Sequence, residues 1–171
     1  MQKNKYKWSS GLIIFLLTGI IYVFIEVVYT AVSGEALHKY KIVSGSLMGF
    51  SSIYMFFVGG FMGFILGKLN ELRLVKDNLI IFFQAVIGGV IITLTELISG
   101  LILNVWLEFN IWDYTRYPFN FMGQICLSRS LGWFFISPLA FWFDDFVKAE
   151  LYQIGKPYSL WSVYLRLIQF K

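Results

Sequence analysis

The amino-acid sequence predicts an all-α, polytopic integral membrane bundle of about four transmembrane helices, closed by a C-terminal amphipathic interfacial helix. Three observations predict it. Apolar residues make up 58% of the 171-residue chain and charged residues 14%, against about 45–50% and about 25% in soluble domains. Four stretches reach the roughly 20 apolar residues that a membrane helix needs. No segment shows the alternation over about ten residues that marks a membrane strand. Too few polar residues remain to cover the surface of a soluble core. The composition excludes intrinsic disorder, a secreted disulfide scaffold and nucleic-acid binding. Cys126 has no second cysteine to pair with. The whole chain, 1–171, reads as a single membrane domain.

The first span, 10–32, carries Glu26. Lys3, Lys5 and Lys7 precede it and Ala31 and Ser33 stand at its end, as in a signal peptide. Its apolar run is too long for one, so it reads as a retained helix. The second span, 43–67, carries no charge. The third, 79–104, contains Glu96. The fourth, 121–143, contains Arg129, with a kink expected at Pro138. In the tail, 158–170, Leu160, Trp161, Tyr164, Leu165 and Ile168 recur at helical spacing, with Ser162, Arg166 and Gln169 largely opposite. Such a helix either lies on the inner membrane surface or packs under the bundle.

Lysine and arginine set the orientation. With both termini cytoplasmic, ten basic residues fall inside and three outside. A multi-pass protein of the cell membrane is expected.

Gly45, Gly49, Ser52, Gly59, Gly63 and Gly67 form a small-residue stripe on the second span. Gly59, Gly63 and Gly67 repeat at every fourth position, which lets another helix approach closely. That helix belongs either to the same chain or to a second copy in a homo-oligomer. The nearby Gly60–Lys68 stretch lacks the spacing of a phosphate-binding loop.

Ionisable residues inside spans are expensive and mark function by default. At about 1.5 Å per residue, Glu26 lies about 24 Å up the first helix, Glu96 about 25 Å up the third and Arg129 about 12 Å below the outer start of the fourth. All three fall in the outer half. On the first helix Gly19, Tyr22, Glu26 and Thr30 share a face. On the third, Gly89, Thr93, Glu96, Gly100 and Asn104 do so. Asn120, Gln124 and Ser128 would share one on the fourth, with Arg129 at its edge. The expected ligand-binding pocket is Glu26, Thr93, Glu96, Asn104, Trp112, Asp113, Tyr114, Asn120, Gln124 and Arg129. A structural Glu–Arg pair is the alternative.

The loop before the fourth span holds Trp106, Trp112, Tyr114 and Tyr117, rings that favour the headgroup layer. Asp113 and the Pro118-Phe119-Asn120 turn point further, to a folded cap. Asn120 is placed to cap the fourth helix. His38 reads as a solvated loop residue. No second His or Cys stands at metal-ligand spacing, so no metal site is expected. Asp144-Asp145 reads as an interfacial charge cluster, since neighbouring carboxylates diverge on a helix. No catalytic triad or dyad is visible, and no cofactor is implied.

One region is specific. Thr95-Glu96-Leu97-Ile98-Ser99-Gly100-Leu101-Ile102-Leu103-Asn104 leads into Ile111-Trp112-Asp113-Tyr114. Pro118-Phe119-Asn120-Phe121-Met122-Gly123-Gln124-Ile125-Cys126-Leu127 and Leu131-Gly132-Trp133 follow. Over roughly 90–135 this resembles the bacterial family called putative ABC-transporter type IV (CmpB-like). The vertebrate transmembrane protein 229 group is similar through the same WDY and P-x-N-x-x-G elements. Arg129 departs from the pattern, where an apolar or variable residue is common. The resemblance implies a small polytopic membrane protein with a transport label.

Two readings follow. One is the membrane subunit of a transport system, working with a separate ATPase because the chain has no ATP site of its own. The other is a non-transport membrane protein: an assembly factor, or a lipid-binding or lipid-modifying protein. Membrane lipid is an expected partner in both.

Overall fold

The computed structural model describes residues 2–33, 46–71, 81–156 and 158–169. Helix α1 is Gln2–Val32, α2 is Ile53–Glu71 and α3 is Ile81–Gly100, which continues as a π-helix over Leu101–Trp106. Strands β1 (Asn120–Phe121) and β2 (Ile125–Cys126) form an antiparallel hairpin, pairing Asn120 with Cys126 and Phe121 with Ile125. Helix α4 is Leu127–Tyr152 and α5 is Leu160–Ile168.

Three described helices are long and apolar enough to cross a membrane: Ser9–Val32, Ile53–Glu71 and Ile81–Trp106. Helix α4 is long as well, at 26 residues. Arg129, Asp144, Asp145, Lys148 and Glu150 make it more polar than those three. It starts six residues later than the hydropathy expectation and runs nine further. Several sequence expectations lie outside the described residues: His38, Lys39, Lys41, Gly45, Arg73, Lys76 and Lys171.

The chain divides into two compact units, Met1–Gly63 and Phe64–Lys171. In the first, α1 and the start of α2 run antiparallel at close range. A Cβ at Gly59 would strike Tyr22, and one at Gly63 would strike Thr18. At Gly60 the neighbour is the Phe15 ring, 2.8 Å away. Small residues thus admit α1 within the same chain, the dispersion-driven packing their spacing allows. Helix α2 begins ten residues later than the apolar run. Residues 49–52 instead lie along α1. The Thr30 hydroxyl accepts from the Phe50 N–H (2.8 Å) and donates to its carbonyl (2.9 Å). Ser52 then caps the helix, its hydroxyl accepting from Tyr54 N–H at 3.3 Å.

In the second unit α3 and α4 form an antiparallel hairpin. Gly88 and Gly89 let α4 approach, a Cβ there meeting Ser137 (2.6 Å) and the Phe134 backbone (3.0 Å). The Ser137 hydroxyl donates to the Ala85 carbonyl at 2.9 Å. Ser137 and Pro138 are fully buried in this seam. Helix α5 buries Val163 and Leu167 and leaves Trp161 and Ile168 exposed. Tyr164 donates to the Phe135 carbonyl at 2.8 Å. One edge of the amphipathic helix therefore packs within the unit while another stays outside.

Candidate functional site

The site is built on the last turns of α3. Glu96 faces α4 there and is 3% exposed. Its Oε1 accepts from the Tyr114 hydroxyl at 2.9 Å and its Oε2 from the Trp133 indole N–H at 2.8 Å. Arg129 is near enough to act on it electrostatically. The guanidinium lies over the Tyr114 and Tyr117 rings, 5.7 and 5.2 Å from their centroids. It also donates to the Tyr117 hydroxyl at 3.3 Å. A carboxylate held by two donors and a cation held by two rings thus sit beneath one loop.

That loop is a folded cap whose polar side chains serve it. The π-turn places Asn104 inward. Its Oδ1 accepts from Ile111 N–H (2.7 Å), and its amide donates to the Trp112 carbonyl (3.1 Å) and to Gln124 Oε1 (2.9 Å). The Gln124 amide donates to the Met122 carbonyl at 2.9 Å. The Trp112 indole donates to the Gln124 carbonyl at 3.0 Å. Asp113 closes a turn by accepting from Thr115 N–H (2.8 Å) and its hydroxyl (2.9 Å). The Asn120 amide reaches the Thr115 and Tyr117 carbonyls, while its Oδ1 accepts from Gly123 N–H. Gly123 has φ +70°, and a Cβ there would meet Asp113 and Thr115 within 2.9 Å, so glycine is required.

Two expectations are corrected. Asn120 does not cap the fourth helix: that helix starts at Leu127 behind Cys126, and the Asn120 side chain is spent inside the cap. Asn120 and Gln124 also share no helical face, because both lie in or beside the β-hairpin. The Asn-x-x-Gly turn demands extended and left-handed backbone, which ends any helix there.

The structure gathers Glu96, Tyr114 and Arg129, and joins Asn104, Trp112 and Gln124 above them. Asp113 and Asn120 stand at the exposed rim. Glu26 belongs to the first unit, where its carboxylate accepts from the Ser51 hydroxyl. Thr93 faces a lateral groove of about 360 Å³ between α3 and α4, with Val86, Val90, Ser130, Leu131 and Phe134. Trp133 and Tyr117 are site residues that the charge-based search missed. Trp133 stood in the family-like Leu131-Gly132-Trp133 element, so a signal existed.

A second polar cluster lies at the other end of α4. Asn70 donates to Asp144 (2.8 Å) and Asp145 (2.9 Å). Lys148 pairs with Asp144 at 2.7 Å and Glu71 at 3.1 Å, and Lys68 with Glu71 at 2.9 Å. The two neighbouring aspartates diverge, yet one amide spans both. Lys148 is thus held between the Asp144 and Glu71 carboxylates. The Tyr158 hydroxyl donates to Asp145 at 2.9 Å. Burial and that carboxylate push its pKa well above the usual tyrosine value.

A model of the family described as "Putative ABC-transporter type IV" matches residues 13–170. The chain belongs to this family. The match takes in both units and nearly all the described residues, far beyond the cap region alone. No solved structure matches the chain. For this family member, no cluster of three or more metal-binding side chains occurs among the described residues.

Proposed function

We propose that the chain is the membrane subunit of a transport system, with Glu96 at the centre of its polar site. Family membership gives the class. The observation that carries the reading is a carboxyl group buried in an apolar span and held by two side chains of other segments. Such a group costs on the order of 3 kcal/mol at mid-bilayer, a cost that structure alone does not require. Tyr114, Trp133 and Arg129 orient it, and the cap controls access from above. A separate ATPase would drive an ATP-dependent cycle. A second copy or partner would complete the pathway, through a surface other than Gly59 and Gly63, which α1 covers.

In this reading α4 is the fourth span and both termini are cytoplasmic, as the basic residues favour. An impermeant thiol reagent added outside intact cells should label a cysteine at Arg116 and spare one at Lys156. The reverse pattern rejects the orientation.

Glu96→Gln tests the site. Its amide oxygen can accept from the Trp133 indole, and its amide can donate to the Tyr114 oxygen, because a phenol both donates and accepts. The variant should fold and express normally, and fail to complement a deletion strain. A stable, fully active variant overturns the proposal.

The lipid-binding alternative is favoured by one observation, the lateral apolar groove between α3 and α4.

A further inference from the structure

The β-hairpin of the cap hangs beside α3, below the end of that helix. A Cβ at Gly100 would meet the Gln124 side chain and the Trp112 ring within 3.1 Å. The membrane-crossing candidate Ile81–Trp106 continues for six more residues, about 9 Å, past that contact. Helix α4 starts lower still. Gly89 faces Phe134, and the two helices are antiparallel. Leu127, seven residues up from Phe134, therefore stands near the level of Glu96, about 15 Å below Trp106. The Leu127 N–H donates to the Phe119 carbonyl at 3.3 Å, which fixes the base of the hairpin at that level.

The hairpin turns apolar side chains outward and polar groups inward. Phe119 is 81% exposed, and Phe121 and Met122 are exposed as well. Phe119 and Met122 both have φ +53°, a left-handed conformation that suits glycine and is costly for a residue with a side chain. Packing within the chain does not offset that cost, because both side chains lie outside it. The backbone is treated in the opposite way. The Phe119, Phe121 and Gly123 carbonyls accept from the Leu127, Gln124 and Tyr114 N–H groups. The Met122 carbonyl accepts from the Gln124 amide, and the Gln124 carbonyl from the Trp112 indole. Asn120 is paired across the hairpin with Cys126. A turn in water has no need of this, since water meets its carbonyls. Non-helical backbone at membrane depth survives only when the protein meets its polar groups.

We propose that the hairpin is a re-entrant wedge: Phe119, Phe121 and Met122 insert into the acyl region of the cap-side leaflet, and lipid is the partner of this surface. The inference goes beyond the transport reading and does not require it. Depth selects lipid, because the hairpin lies alongside the last apolar turns of α3, whose own Ile98, Ile102 and Val105 are exposed. Transfer of large apolar side chains out of water is favourable, and it offsets backbone strain that nothing within the chain offsets. Arg116, exposed in the same loop, is long enough to snorkel to the phosphates of the headgroup layer. The bilayer then holds the cap over Glu96 together with the cap's own hydrogen bonds. Opening the cap must draw three apolar side chains out of lipid.

The test uses single cysteines carrying the NBD fluorophore: Phe119→Cys, Met122→Cys, Ile98→Cys and Arg116→Cys. Cys126 is 1% exposed, so the parent chain serves as the unlabelled background. Each variant is reconstituted in phosphatidylcholine vesicles. Quenching by a nitroxide midway along the acyl chain is compared with quenching by iodide on both sides of the membrane. Labels at Phe119 and Met122 should behave as the label at Ile98 does, quenched by the nitroxide and spared by iodide. The label at Arg116 should show the reverse. Iodide quenching at Phe119 and Met122 equal to that at Arg116 overturns the proposal. Shielding of both positions from both quenchers also overturns it, because protein then covers the tip. Phe119→Asn gives a second measurement without a label. Asn tolerates left-handed backbone but is polar, so protease cleavage of the 107–126 loop in vesicles should become faster. Unchanged or slower cleavage means that the tip lies in water and overturns the proposal. Thermal unfolding of every variant, with two label positions on the tip, keeps a misfolded chain from deciding the result. None of these outcomes bears on Glu96→Gln, which tests transport separately.

Discussion

At the cap end of the second unit, Glu96 and the loop above it are satisfied chiefly by uncharged donors: a phenol, an indole, two side-chain amides and backbone N–H groups. At the tail end, Asp144 and Lys148 are satisfied by each other, with Glu71, Lys68 and Asn70 around them. Both ends bury charge, but in different ways. The tail end neutralises it with direct ion pairs and stays electrically closed. The cap end holds its carboxylate by neutral donors and its guanidinium over two rings. That difference separates a structural clamp from a candidate binding site.

The strongest way to break the comparison is at the clamp. Lys148→Met leaves Asp144, 2% exposed, with its charge uncompensated. Loss of one partner of a buried pair costs roughly 3–5 kcal/mol, so thermal unfolding in detergent should shift far down. The double change Lys148→Met with Asp144→Leu should recover much of it. If the single variant is as stable as the parent, the clamp is not structural.

The next effect belongs to the cap. Gln124→Leu removes the acceptor for Asn104 and the donor for the Met122 carbonyl. Leaving buried polar groups unmet costs about 1–3 kcal/mol each. The expected result is a moderate fall in stability and faster proteolysis of the 107–126 loop, with the tail end unchanged. Equal loosening of both ends would show that they are coupled.

The smallest effect sharpens the contrast at the exposed margin of the clamp. Tyr158→Phe loses an exposed hydrogen bond to Asp145. Its cost should stay under about 1 kcal/mol, measured by the same unfolding assay. A larger loss would mean that the tail connection holds the clamp together.

The two ends also differ in how far they could be read in advance. The cap is local: Asn104, Trp112, Asp113, Asn120 and Gln124 fall within one short stretch, and their spacing carried both the family likeness and the expectation of a folded loop. Sequence spacing did not tell whether those side chains face a ligand or one another. Their hydrogen bonds turn mostly inward, because a loop with left-handed residues at Glu108, Asn110, Phe119, Met122 and Gly123 needs side chains to hold its shape. The clamp was hidden, since Asn70 and Asp144 meet across 74 positions and share no period or motif. The apolar runs located three spans. The late start of α2 escaped because Thr30 and Ser51 bond to residues far along the chain. The same polar residues that perform as a clamp make α4 less apolar than its neighbours.

The long reach of the clamp has a consequence for how the protein is made. Asn70 leaves the ribosome 74 residues before Asp144. At 5–20 residues per second, that interval lasts about 4 to 15 seconds. During it Asn70 and Glu71 must wait without the partners they acquire from α4. The first unit has all its residues by then and is free to pack. Closure of the second unit falls to α4, made well after α2. A chain cut short before Lys148 would thus carry the apolar helices through α3, yet lack the lysine that pairs with Asp144 and with Glu71. Synthesis of Lys148 is, in effect, the second unit's own checkpoint for assembly.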